Sequence, residues 1–296
     1  KTISVAVGKG SMFSLSGSIR ELKGLKGVDI KVTGESDLAE VSKTASEFLP
    51  IPASGFFKIV DIGVSGDAPD SLTLKSNLLL NGIKVSHKGI DLQVYGSIKA
   101  EGNSRGDLIL SEMKLNLNNA LTVVASANAS NWGKGKVSGR VHVVADNGKT
   151  LTLLPEEILK KIGKIDISGM TTVDVTGGRG SEKGALKANI SGVSNIGRFS
   201  AGPISVDETA VNFSVTSDDL LKGKVVADAG VKVKGVKVSK GNIELRNDRT
   251  SVTIKGVVNN LVERKASVDV GMELRGIKAK KGEIDFSEDQ LDAAVS

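Results

Sequence analysis

The chain has 296 residues, of which 39% are apolar but only 3% aromatic, and it carries a net charge of +6 from 40 basic and 34 acidic side chains. The absence of cysteine excludes a disulfide framework and a thiolate metal site. With 35 glycines and 5 prolines, neither a collagen-like nor a low-complexity disordered chain fits.

No apolar run reaches the roughly 18–20 residues of a membrane-spanning helix, and residues 1–10 lack a signal-peptide pattern. The apolar content is Val, Ile, Leu and Ala, spaced by Lys, Ser, Thr and Asn. Branched residues at alternate positions favour strands, because they fit a pleated, half-buried surface. Lysines interleaved with valines, as at Lys232 and Lys234, mark the solvated face of a strand. With base-stacking aromatics nearly missing, no nucleic-acid partner is expected.

In chain order, residues 1–36 read as strands closing a preceding repeat. Residues 37–49 predict a helix, since Leu38, Val41, Ala45, Phe48 and Leu49 share one helical face. Asp37 is its N-cap, Glu40 stands at the capping-box position, and Pro50 stops it. A first repeat unit, 37–154, continues as strands, with Leu72 and Leu74 in one and alternating Met113, Leu115 and Leu117 in another. Asn81-Gly82 and Asn147-Gly148 read as turns. A second unit, 155–287, opens with a helix from Pro155 to about Ile162. Glu156 and Glu157 occupy its first turn, Lys160 and Lys161 its last, and Gly163 closes it. Alternation resumes at Val231, Val233, Val236 and Val238, and Lys240-Gly241-Asn242 forms a turn. Ser287, with Gln290 three residues on, starts a third helix, so residues 288–296 begin another unit. The pattern as a whole predicts about twenty short antiparallel strands and one helix per about 115–135 residues.

Sequence repetition follows the helices. Ile51-Pro52-Ala53-Ser54-Gly55-Phe56 aligns with Ile165-Asp166-Ile167-Ser168-Gly169-Met170, and Leu74-Lys75-Ser76-Asn77-Leu78 with Leu186-Lys187-Ala188-Asn189-Ile190. A shorter motif recurs at Gly82-Ile83-Lys84, Gly235-Val236-Lys237 and Gly276-Ile277-Lys278.

Chemistry-bearing patterns are sparse. His87 and His142 stand apart from each other and read as surface residues. Glu156-Glu157 and Asp218-Asp219 read as helix-start charges and not as a catalytic pair. Gly133-Lys134-Gly135 and Gly178-Arg179-Gly180 lack the spacing of phosphate loops and read as turns. The triplets starting at Asn128, Asn189 and Asn212 fit the N-glycosylation pattern, which is common by chance. No catalytic residue, metal ligand or cofactor is expected, and the chain reads as a non-enzyme.

Alternating strands give each sheet an apolar face that must be kept from water. A few short helices cannot cover so many strands. The solutions are a sandwich, a closed solenoid, or a curved sheet whose apolar face is occupied by something else.

Three elements resemble the AsmA-like family of bacterial envelope proteins. One is Leu15-Ser16-Gly17-Ser18-Ile19 leading through Leu22-Lys23-Gly24-Leu25 into Val28-Asp29-Ile30-Lys31-Val32. Another is the helix running into Leu49-Pro50-Ile51-Pro52-Ala53-Ser54-Gly55-Phe56. The third is the strand set ending in Leu72-Thr73-Leu74 with its Gly-x-x-x-Ser turns. The resemblance covers residues 10–118 closely and 150–296 more loosely. The second repeat departs from it at Met170, where the first has Phe56, and at the charged loop from Arg179 to Lys183.

The resemblance implies an elongated, curved antiparallel sheet, a β-taco or repeating β-groove, with a hydrophobic trough. It further implies a periplasmic segment anchored to the inner membrane by a region outside this sequence, which moves phospholipid toward the outer membrane. Phospholipid acyl chains would be its partners, along Leu72, Leu74, Met113, Leu115, Leu117, Val231, Val233, Val236 and Val238. The alternatives are a structural or adhesive β-solenoid and a scaffold for outer-membrane protein assembly.

Overall fold

A computed structural model describes residues 2–295 apart from 8–9, 25, 45–52, 88–89, 132–133, 152, 163–164, 182, 221–222 and 261–264. The protein is mainly β and antiparallel, with three short α-helices among the described residues. It divides into two compact units, Lys1–Val141 with Gly178–Gly184 and His142–Gly177 with Ala185–Ser296. The division falls within a strand, between Val141 and His142.

The first unit is a meander. Strands β1 (Thr2–Val7), β2 (Ser11–Glu21) and β3 (Lys26–Asp37) lead into helix α1 (Leu38–Thr44). Strands β4 (Ala53–Gly66), β5 (Thr73–His87), β6 (Ile90–Asn103), β7 (Leu108–Leu117) and β8 (Leu121–Ala129) follow. Each strand pairs antiparallel with the next. Asp37 caps α1 as predicted, its Oδ1 accepting the Ala39 N–H at 2.9 Å. Predicted helical positions 45–49 lie outside the described residues.

Strand β9 (Val137–Asp146) is followed by α2 (Asn147–Leu151), α3 (Glu156–Ile162) and β10 (Ile165–Arg179). The second unit continues as β11 (Lys187–Ala201), β12 (Ile204–Val206), β13 (Glu208–Ser217), β14 (Val225–Lys240), β15 (Ile243–Asn260), β16 (Lys265–Lys281) and β17 (Ile284–Val295). From β13 onward each strand again pairs antiparallel with its successor. Tight two-residue loops begin with Gly202, Gly241 and Gly282 at φ 55°, 59° and 61°, which suits the twist of a hairpin.

Several expectations are corrected. Residues 287–295 belong to strand β17 and not to a third helix. The capping pattern there is overruled by cross-strand pairing, with Phe286 opposite Ala279 and Leu291 opposite Leu274. Asn147-Gly148 is the first turn of α2, held by Asp146, whose Oδ1 accepts the Lys149 N–H at 3.1 Å. Asn81-Gly82 lies inside β5 and not between strands. After Asp218-Asp219, the Asp219 C=O accepts the Gly223 N–H at 2.7 Å, and residues 221–222 between them lie outside the described residues. The strands are also longer than predicted, β15 reaching 18 residues.

The two repeat copies share a local device. Gly55 lies near the start of β4 at φ 101° and Gly169 near the start of β10 at φ 117°. In each case a side chain would collide with a carbonyl of the neighbouring strand, that of Gly82 or Asn195. The next residues, Phe56 and Met170, are 48% and 46% exposed.

Candidate functional site: the apolar sheet faces

In an antiparallel ladder, directly opposed residues lie on one face, and that face alternates along each strand. In the first unit one row across the strands runs Val5, Phe13, Gly34, Ile59, Leu78, Ile98, Met113, Ala125. The next row on the same face includes Phe57, Leu80, Leu115 and Val123, and the one after it Ile83, Val94, Leu117 and Leu121. Leu74 joins this face between Val64 and Gly102. Leu72 lies just before β5, outside any ladder, and its carbonyl accepts the Ser104 N–H at 2.9 Å.

The second unit repeats the arrangement. Val231 lies in the row Val211, Val231, Val252, Met272, Ala293, and Val233 in the row Thr209, Val233, Thr250, Leu274, Leu291. Val238 lies between Ile204 and Leu245 and leads to Ala279 and Phe286.

A sequence shift separates these rows. Val231 and Val233 are odd-numbered, whereas Val236 and Val238 are even, yet all four are half-buried while Lys232, Lys234 and Lys237 are exposed. The change of phase occurs at Gly235, φ 63°, which faces Asp248 without pairing, the ladder resuming from Lys234–Arg249 at Val236–Asn247. Gly276 at φ 63° does the same in β16, and Gly82 at φ 62° in β5. The recurrent Gly-x-Lys motif is therefore a phase corrector: a left-handed glycine inside a strand returns apolar residues to the original face. It also explains which face residues strict alternation misses. Ile243, Leu245 and Phe286 lie beyond the shift, and the glycine motif is the signal that finds them.

The opposite faces are charged. Lys99 pairs with Glu112 at 2.9 Å and Lys75 with Glu101 at 3.4 Å in the first unit. In the second, Lys234 pairs with Glu208 at 2.8 Å. The Lys99 ammonium, by donating a hydrogen bond, holds the Glu112 carboxyl below its ordinary range. Polar groups on the apolar face of the second unit are few and partly self-satisfied. Thr250 donates to Asn247 Oδ1 at 2.6 Å, and Asn247 donates to the Arg275 carbonyl at 3.1 Å.

Among the described residues the apolar faces stay largely open. Among the described residues the buried apolar side chains are Val28, Ala120 and Ala125, and none of the larger ones is fully buried. On the faces, Leu15, Leu74, Leu245 and Leu291 remain 42%, 44%, 44% and 49% exposed. A depression of about 340 Å³ opens on the first unit's face, lined by Ile3, Leu15, Gly17, Ile19 and Ile30.

His142 Nδ1 lies 3.0 Å from Asp174 Oδ1, both partly exposed. The His87 side chain lies outside the described residues. No group of three or more His, Cys, Asp or Glu is placed to hold a metal among the described residues, and no described helix is long and apolar enough to cross a membrane. No family model, curated protein or solved structure matches the chain.

Proposed function

We propose that this chain is a non-catalytic, periplasmic lipid-conducting segment of an AsmA-like protein, its apolar sheet faces serving as a trough for phospholipid acyl chains. The observation that carries this reading is the continuous apolar face in each unit, several residues wide and half-exposed, backed by a charged face. Contiguous exposed apolar surface of this extent marks a binding surface, since scattered apolar residues do not line up in rows. Each Leu or Val covered by an acyl chain would contribute roughly 1.5–3 kcal/mol. Aliphatic lining with few polar anchors suits chains that slide and do not lock in place. Headgroups would stay in solvent, and transfer between the inner and outer membranes would need no nucleophile, acid or metal from this chain.

The test is native mass spectrometry and lipid extraction of the purified chain. Phospholipid bound in stoichiometric amounts, with headgroup-independent recovery, is the expected result. A lipid-free chain that also fails to take up phospholipid from vesicles would overturn the reading in favour of an adhesive or scaffolding role.

A further inference from the structure

Charge in the second unit is unevenly placed. Residues 225–281 hold 13 basic and 6 acidic side chains, a larger positive excess than the +6 of the whole chain. Along β14, β15 and β16 that excess lies at one end, beyond the phase-correcting glycines. Residues 236–247 and 277–285 there carry six cations against Glu244, Glu283 and Asp285. At the far end of the same strands, residues 225–231, 252–258 and 266–272 carry Lys255 against Asp228 and Asp269. Lys237, Arg246 and Lys278 stand directly opposite one another across the three strands, where like charges repel. Asp207 Oδ2, 3.7 Å from Lys237 Nζ, and Glu244 Oε1, 2.6 Å from the Arg246 guanidinium, offset part of that repulsion.

The apolar face finishes in cations at the same end. Its last rows run Ile204, Val238, Leu245, Ala279 and then Lys240, Ile243, Lys281, so Ile243 lies between two lysines. Ile204, Ile243 and Leu245 belong to strands paired on both sides, yet all three remain exposed.

We propose that this end of the second unit docks on an anionic phospholipid bilayer. Ile204, Ile243 and Leu245 enter the boundary between headgroups and acyl chains. The lysines around them reach lipid phosphates while their stems stay against the apolar side chains. A soluble polyanion would neutralise the cations and leave the isoleucines wet. A neutral apolar partner would leave the cations repelling one another. A bilayer with acidic headgroups satisfies both. The surface stands apart from lipid conduction, because docking requires no acyl chain along the rows of either unit.

Vesicle flotation of the intact chain is the test, with phosphatidylcholine alone and with about three-tenths phosphatidylglycerol added. The chain should float with the anionic vesicles at about 0.1 M salt, stay behind with the neutral ones, and lose most binding at about 0.5 M, where charges are screened. Lys240→Gln, Lys278→Gln and Lys281→Gln together should weaken partitioning about a hundredfold. Ile243→Asn should weaken it about tenfold, and Lys255→Gln, at the far end of β15, should change nothing. All five positions are exposed, and circular dichroism reports the fold. Were the triple variant to unfold, the two vesicle types and two salts applied to the unaltered chain still decide the matter. Equal flotation with both vesicles, flotation with neither, or unchanged binding of the triple variant would overturn the proposal. Unchanged binding of Ile243→Asn would overturn it too, by marking a surface that reads charge alone. A chain that floats yet carries no phospholipid after purification keeps the docking surface while the trough fails.

Discussion

At Gly235 and Gly276 the backbone is left-handed and a neighbouring carboxylate fills the space of a side chain. Alanine at either position must accept both a disfavoured conformation and a displaced aspartate. Each substitution should lower stability by at least about 1–2 kcal/mol, read from urea denaturation. Gly256 provides the contrast. It sits on the apolar face opposite Ala227, and a β-carbon there would meet nothing nearer than 3.9 Å. Gly256→Ala should be neutral or stabilising by about 0.5–1 kcal/mol, since glycine weakens a regular strand. Charge adds a second residue-scale expectation. Asp107 accepts the Asn103 amide at 3.0 Å and the Asn131 N–H at 3.3 Å, which hold its carboxyl below the ordinary value of 3.8. A lowered folded-state value means that the charged form stabilises the fold. That contribution is complete above the unfolded value and is lost as pH falls through the folded one. Melting temperature followed downward from about pH 5 should therefore fall more steeply in the native chain than in Asp107→Asn.

Elements follow from how residues repeat, and here the sequence is legible until the period breaks. Met113, Leu115 and Leu117 alternate without interruption, and the structure places them on one face with Leu78 and Leu80. Strand β17 hides its period because Asp289 takes no part in the ladder. Phe286 and Leu291, on the same face, are thereby five residues apart, a spacing foreign to a period of two. Ser287 and Gln290 then supplied a helix-start pattern that local chemistry allowed and strand pairing overruled. The turn expected at Asn81-Gly82 failed for the same reason: glycine flanked by alternating residues signals a turn or an in-strand shift, and only the neighbouring ladder decides. Helix α1 was legible because its signal is local. Asp37 accepts the Ala39 N–H and begins the helix at the end of β3. Asp37→Ala should cost about 1 kcal/mol and Asp37→Asn much less, measured by thermal unfolding, because Asn retains the accepting oxygen.

At the scale of the molecule, what distinguishes this chain is that its two faces differ in kind. Apolar rows on one face of each unit would ordinarily be sealed by a second layer, as in a sandwich. Here they stay half-exposed, and on the proposed reading an acyl chain would restore the missing burial. The reading makes an asymmetric prediction about charge. Leu115→Asp in the first unit and Val233→Asp in the second each place a carboxylate on the apolar face. Both positions are only half-buried, so the carboxylate can stay hydrated and the strands should still form, which far-ultraviolet circular dichroism would show. An acyl chain crossing the same spot would strip that water away, at a cost of about several kcal/mol. Co-purifying phospholipid should therefore fall severalfold in either variant, and lipid passage in cells should fail. Lys232→Asp introduces the same carboxylate on the charged face, one residue from Val233, and should leave lipid content unchanged. His142→Ala, which removes the partner of Asp174, should do likewise. Lipid loss in all four variants would point to unfolding. Retention in the first two, with activity lost in the histidine variant, would refute the trough and direct attention to His142 and Asp174 instead.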